Sequence, residues 1–417
     1  PGALVVGPEE WGWSGYFYSG YDQQYGSLHG WSFLPDRASH GGADYLPWFL
    51  DQMKQASTSA GRRLLDVFSV HYYPQGGEFS SDTSTAMQLL RNRSTRSLWD
   101  PTYVDESWIG DTVKLVPRLK SWVASYYPGT KTAVTEYNWG AENHINGATA
   151  QADILGIFGR EGLDLATRWT TPDPSTPAYK AIQLYRNYDG ARSAFGETSV
   201  RATAPNPDTL SAFAALRSTD GALTVMIVCK SLTGTTPLTL SLSEFSPGGP
   251  ARVWQLTSTD AITRLTDLSV AGKAISTSLP PQSVTLVVVP PSAGASFYTV
   301  TPCRLLDTRG PAGPYGAPAL PAGGDRTFVL AGRCGIPSSA TAVATNVTVT
   351  SAAAAGFLTL FPDGATLPLA SSVNFHAGQT RANNAIFALG TTGGATIHAG
   401  LGSGNVEAIL DVTGYFQ

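Results

Sequence analysis

From the amino terminus to about Tyr188, short apolar runs alternate with stretches whose apolar positions repeat at helical period. Runs of the first kind suit strands and the others suit amphipathic helices, so the pattern predicts βα units and a parallel sheet. Four strands are expected, ALVVG (3–7), LLDVFSVHYY (64–73), KTAVTEY (131–137) and LDLATRW (163–169), each bounded by Gly, Pro or polar turn residues. Helices are expected at YLPWFLDQMKQA before the second strand, TVKLVPRLKSWVASYY before the third, ATAQADILGIFGRE before the fourth and AYKAIQLYRNY after it. Four βα units amount to half of a (β/α)8 TIM barrel, an arrangement that leaves sheet edges open.

Beyond Asp189 the helical period disappears. Short alternating runs such as LTVMIVCK, PLTLSLSEF and SVTLVVVPP predict an antiparallel β-sandwich over residues 190–291. PPSAGAS (290–296) reads as a linker, followed by a Gly-, Ala- and Thr-rich segment from Phe297 to Gln417 that reads as a further all-β domain. The expected fold class is α/β plus all-β: a partial barrel over 1–189, a sandwich over 190–291 and an accessory all-β domain over 297–417.

Composition changes this picture little. With 417 residues, 42% hydrophobic and 10% aromatic, the chain has material for several cores. A formal net charge of -4 and no basic run give nucleic acid nothing to bind. Only 14% of residues are charged while Gly (44) and Pro (28) are abundant, which suits a secreted, extracellular or cell-surface protein. No apolar run approaches the roughly 18–20 residues of a membrane-spanning segment. The opening residues lack the basic start and cleavage site of a signal peptide, so an export signal is expected upstream of Pro1. Cys229, Cys303 and Cys334 are too few for a disulfide scaffold and lack the spacing of a zinc site. One Cys303–Cys334 bridge and three buried thiols both remain open at this point.

The sharpest chemical feature is TEYNWG (135–140), where an apolar strand ends in Glu136. Catalytic groups of a TIM barrel sit at the carboxyl ends of its strands, whereas a solvated strand-end glutamate is the plain alternative. The neighbouring strand ends add weight. VHYYP brings His71, Tyr72 and Tyr73, and the last strand ends in Arg168 and Trp169. Aromatic faces that pack on pyranose rings, beside groups that hydrogen-bond hydroxyls, are what a sugar site needs. His71 also fits a satisfied core position. GPEEWGWSGYFYSGYDQ places Glu9, Glu10, Trp11, Trp13, Tyr16 and Tyr18 in one expected loop, read as a stacking platform, with Trp31, Trp48, Trp99 and Trp108 extending the theme. For Trp99 and Trp108 packing in an ordered loop clamped on the barrel rim is the stronger reading.

The motifs GPEEWGW, VHYYP, LWDPTYVDESWIG, PGTKTAVTEYNWG and AQADILGIFGREGLDLATRW, in this order, resemble glycoside hydrolase family 44 over about residues 1–290. The resemblance implies a retaining endo-β-1,4-glucanase or xyloglucanase built as a (β/α)8 barrel with an attached β-sandwich. It implies a β-glucan polysaccharide as partner and Glu136 as nucleophile. On this reading Glu10, Trp11, Trp13, Tyr16, His71, Tyr73, Tyr137 and Trp169 bind sugar or position the nucleophile. No cofactor is implied; no EF-hand spacing appears, and a structural calcium and the oligomeric state are left open.

One departure matters. The family's acid/base glutamate lies in an Asn-Glu-Pro motif at the end of the fourth strand, and that motif is absent from this sequence. The four expected strands then correspond to strands five to eight, with the earlier ones and the acid/base upstream of Pro1. Activity of this chain alone is expected to be impaired, with Glu10 a weaker substitute acid and a non-catalytic glycan-binding or cell-surface protein as the alternative. Finally, TPCRLLDTRG, CGIP, SSVNFHAGQTRANNAI and DVTGYF resemble a carboxyl-terminal β-domain of exported bacterial proteins, which implies a local Cys303–Cys334 disulfide. Surface attachment, glycan binding and a passive spacer are all compatible with it.

Overall fold

A computed structural model describes residues 2–417, and the chain divides into two compact units, one ending at Ser292 and the other spanning Ala293–Gln417. The first unit holds a parallel sheet of β1 (Val6–Glu10), β2 (Val67–Tyr72), β3 (Lys131–Tyr137) and β4 (Leu165–Ala166), in that spatial order. These strands fall where the apolar runs predict them, but the fourth is much shorter. The Asp164 side chain accepts the Thr132 amide (2.8 Å) just before it, and a side chain there replaces a ladder partner.

Among the described residues seven α-helices accompany the sheet: α1 (Gly20–His29), α2 (Pro35–Ser39), α3 (Tyr45–Ala60), α4 (Thr85–Ser94), α5 (Leu115–Tyr126), α6 (Ile145–Glu161) and α7 (Pro177–Arg186). α3, α5, α6 and α7 match the periodic stretches; α1, α2 and α4 carry no readable apolar stripe. Polar caps hold the first two instead. Ser19 caps α1 by accepting the Asp22 amide, and buried Asp22 in turn accepts the amides of Asp36 (2.8 Å) and Arg37 (2.7 Å) at the start of α2. α4 buries polar residues, among them Arg91 and Asn92, so its inward face is invisible to a hydrophobicity pattern.

Behind the helices stands an antiparallel sheet in the order β10 (Ile262–Leu268), β9 (Ala251–Leu256), β12 (Ser283–Val289), β7 (Leu223–Cys229), β6 (Leu210–Leu216), β5 (Thr198–Val200). A two-stranded sheet of β8 (Thr236–Ser241) and β11 (Ala274–Leu279) accompanies it. In β7 and β12 every residue is buried, so neither strand has a solvated face. Period two survives in a different form. Met226 and Val228 join the core shared with the helices, while Val225, Ile227 and Cys229 join a second core with Leu242, Ile275 and Leu279. Both faces need apolar side chains, so the alternation is of direction and not of polarity.

The second unit is all-β. One sheet orders Phe297–Asp307, Asn405–Phe416, Ala342–Thr350 and Arg381–Ala388, with Leu320–Pro321 also paired to Asn405–Phe416. The other orders Asp325–Val329, Gly394–Leu401, Gly356–Pro362 and Val373–Phe375. Cys303 and Cys334 are joined, Cα to Cα 5.7 Å, while Cys229 is a buried thiol on β7.

Candidate active site

The carboxyl ends of the three longer parallel strands bring the chemistry together. His71 on β2 and Glu136 on β3 are register partners, and His71 Nδ1 lies 3.2 Å from Glu136 Oε2. Tyr73 donates its phenolic hydrogen to the same oxygen at 2.9 Å. Glu136 Oε1 makes no hydrogen bond among the described residues. Burial first, and then the hydrogen bond to Glu136, push the Tyr73 phenol well above its ordinary range, so it remains a donor.

The other face of the imidazole meets a second carboxylate. His71 Nε2 is 3.1 Å from Glu9 Oε2, and Glu9 is held by Ser69 Oγ on β2 (2.8 Å) and by the hydroxyl of Thr135 on β3. Glu9 occupies the left-handed region at φ 64°, where a non-glycine residue is costly. The registers explain its direction. β1 pairs Pro8 with Ser69 and Glu10 with Val70, passing over Glu9, while β2 pairs Val70 with Val134 and His71 with Glu136, passing over Thr135. Such bulges re-aim side chains.

A third group fixes the rim. Arg168 pairs with Glu142 (2.8 Å) and donates to Asn138 (2.9 Å) and Gln151 (3.0 Å), and Asn138 donates to the Trp169 carbonyl at 2.7 Å. The Arg168 side chain is enclosed, while Trp169 is 56% exposed. Among the described residues no group of three or more His, Cys, Asp or Glu is placed to hold a metal ion.

Comparison with known proteins bears on what this arrangement is. Residues 1–76 match the model of glycoside hydrolase family 44. Endoglucanase A of Paenibacillus lautus is 34% identical over 302 residues, covering 69% of this chain and 42% of that protein. The crystal structure of CelM2, a bifunctional glucanase-xylanase from a metagenome library, is 71% identical with a TM-score of 0.69, over 70% of this chain and 56% of that one. A family 44 xyloglucanase of Paenibacillus polymyxa is 32% identical with a TM-score of 0.62, over 69% and 57%. These matches support a member of glycoside hydrolase family 44, covered in part. The chain spans about half the length of the relatives it matches.

Several expected sugar contacts turn out to be packing. Tyr137 is buried, accepts Gln151 Nε2 at 2.9 Å and meets Phe158 edge to face. Successive residues of a strand point to opposite faces, so with Glu136 at the site Tyr137 must face the helices. Tyr16 lies in a 3₁₀ turn, Trp13–Tyr16, fully buried, and donates to the His71 carbonyl at 2.6 Å; it supports β2 from behind. Trp13 is half-buried against Phe17 and under the Arg118 guanidinium. Glu10 folds back onto its own turn, accepting the amides of Trp11 (3.2 Å) and Gly12 (3.3 Å), and lies where a Cβ on Gly15 would collide with it.

The expected loop platform therefore reduces to Trp11, which is 75% exposed at the end of β1. Trp48 stacks on His40 and Trp99 lies beneath Arg160. Trp108 remains exposed, its indole donating to Gln75 at 3.1 Å, and Trp31 is half exposed beside Tyr18. Of the Glu9-Glu10 pair it is Glu9, not Glu10, that meets His71.

Proposed function

We propose that this chain carries the nucleophile half of the active site of a retaining endo-β-1,4-glucan hydrolase acting on xyloglucan, soluble cellulose or mixed glucans, with Glu136 as nucleophile. The observation that carries the reading is the asymmetry at Glu136. Tyr73 and His71 both address Oε2, which leaves Oε1 unengaged. A carboxylate so held can attack an anomeric carbon with one oxygen while the other is steadied by donors. Trp169 and Trp11, two exposed aromatics at strand ends, supply faces for pyranose rings.

A retaining mechanism needs a second carboxyl group about 5–5.5 Å from the first, to protonate the leaving oxygen. Glu9 is engaged by His71, Ser69 and Thr135, and Glu10 by its own turn, so neither suits that role. On our reading the four parallel strands are strands five to eight of a (β/α)8 barrel, and the acid/base comes from strands outside this sequence. Exposed apolar residues on the two edge strands, Val6 on β1 and Leu165 on β4, fit this reading. Family membership and the disulfide within Ala293–Gln417 support a secreted protein whose second unit is an accessory domain. Turnover by this chain alone should be reduced by about 10²–10⁴-fold for want of the acid.

The engagement of Glu9 and Glu10 also supports a second reading, a glycan-binding chain that breaks no bond. Incubation with a 2-deoxy-2-fluoro cellobioside bearing a dinitrophenyl leaving group separates the two, because that group departs without a proton. A glycosyl adduct on the Glu136 peptide, absent from Glu136→Gln, supports the hydrolase reading. A cooperatively folded chain that forms no adduct leaves glycan binding as the function.

A further inference from the structure

We propose that Glu9 is a positioning residue of this site, acting through His71 to determine which oxygen of Glu136 is held and which is left to attack. The inference rests on the reading of Glu136 as the nucleophile. It starts from a single imidazole spanning two carboxylates, Nε2 to Glu9 at 3.1 Å and Nδ1 to Glu136 at 3.2 Å. A carboxylate only accepts, so the Glu9 contact is a hydrogen bond when hydrogen sits on Nε2, and the Glu136 contact attracts when hydrogen also sits on Nδ1. The partner of one ring nitrogen thus decides what the other presents to the nucleophile.

Glu9 is built for that part and for little else. Its oxygens meet Ser69, His71 and Thr135, and it holds φ 64° in a bulge between β1 and β2. Strained backbone of this kind persists where the surroundings over-determine it, and it clusters at functional sites. In the attack, Glu136 Oε1 bonds to the anomeric carbon as the bond from that carbon to the leaving oxygen breaks, and the leaving group departs with the electron pair. The negative charge of Glu136 is consumed, while His71 and Tyr73 stay on Oε2 throughout. Without the Glu9 carboxylate nothing holds Nε2, the imidazole is free to turn away, and Oε2 keeps Tyr73 as its one remaining partner, so the two oxygens of Glu136 are less firmly distinguished.

The test compares the full chain with its Glu9→Gln variant in two measurements: the rate of adduct formation with the fluorinated dinitrophenyl cellobioside, and the side-chain ¹⁵N spectrum of His71, assigned by its loss in His71→Asn. We expect adduct formation to slow about 10- to 100-fold with little change in the probe's apparent dissociation constant, as when a partner that orients a histidine is lost. The His71 nitrogen resonances should shift in parallel. A wild-type rate, or unchanged His71 resonances, would overturn the proposal. If the unaltered chain forms no adduct, the nucleophile reading fails, yet the His71 spectrum still decides whether Glu9 sets the imidazole. Should Glu9→Gln not fold, Ser69→Ala removes one anchor of Glu9 without touching His71 or Glu136, and a several-fold slowing with the same spectral shift is expected.

Discussion

Thr135 donates its hydroxyl to Glu9, and these are the two residues passed over by the parallel registers on either side of β2. Each bulge alone would only bend its strand. Together they aim a carboxylate from β1 and a hydroxyl from β3 at the strand between them, where His71 stands. Glu136 then follows in register, so the site is assembled by main-chain irregularity as much as by side-chain choice.

Tyr73→Phe should slow adduct formation at Glu136 by about 10- to 100-fold, since a hydrogen bond to a charged group contributes about 1.5–3 kcal/mol. Folding stability should barely move, because the phenol is at the rim. Burial and Glu136 raise the Tyr73 phenol above the ordinary value of 10.0. A raised folded value means that the donor form is fully present below the ordinary value and is lost only as pH climbs through the raised one. The ratio of wild-type to variant rate should therefore stay flat from about pH 6 to pH 10, across the ordinary tyrosine value. A ratio that collapses toward one near the upper end would contradict the assignment.

Gly156 sits in α6 where an added Cβ would run into the ring of Phe213 on β6. Alanine ordinarily strengthens a helix by about 1 kcal/mol over glycine. Here overpacking should dominate, at about 1–3 kcal/mol, because the buried Phe213 ring would have to leave its packed position. Gly156→Ala should lower Tm, and adding Phe213→Leu should restore part of the loss. A Tm that rises in the single variant would show that the helix can move away from the sheet.

Much of this architecture was readable beforehand, and the failures have causes. β2 and β3 announced themselves because both are apolar runs ending in polar rims, and α6 because almost all of it is buried. Helix α4 was missed because what it buries is Arg91, whose guanidinium donates to the carbonyls of Glu78 (2.9 Å) and Trp139 (2.7 Å) and to Asn146 (2.7 Å). Glu136, His71 and Tyr73 were legible from their strand ends. Glu9 was not distinguished from Glu10, since alternation assigns neighbouring residues to opposite faces but a bulge decides which is which. Aromatic density misled for Tyr16 and Trp13, which pack beneath the site, because aromatic residues fill cores as readily as they line clefts.

Lys230, at the end of β7, and Asp153 on α6 form a buried ion pair at 2.6 Å, with Thr95 donating to the same Asp153 oxygen at 2.7 Å and Lys230 donating to the Pro207 carbonyl at 2.7 Å. This pair joins the helical layer to the six-stranded sheet. Removing one partner leaves the other charge buried alone, so Asp153→Ala or Lys230→Met should each cost about 3–5 kcal/mol. Lys230→Met combined with Asp153→Leu should recover most of that. All ten tryptophans precede Ala293, so urea titration followed by tryptophan fluorescence reads this unit directly. Additive losses in the double variant would mean that the two charges do not support each other.

The same distribution leaves Ala293–Gln417 silent in tryptophan fluorescence, and its stability is better read by amide hydrogen exchange. Cys303 and Cys334 close a loop with a sequence separation of 31. Loop-closure entropy for that length corresponds to about 3–4 kcal/mol taken from the unfolded state. Cys303→Ser with Cys334→Ser should therefore speed exchange of the most protected amides of this unit, such as those of Ala342–Thr350, by on the order of 100- to 1000-fold. Those amides belong to a central strand, paired on both sides, and exchange only through opening of the whole unit. Acceleration confined to residues near Cys303 and Cys334 would instead show a clasp that secures one loop, with the stability of the two sheets resting on Leu305, Val347, Leu410 and the rest of their shared core.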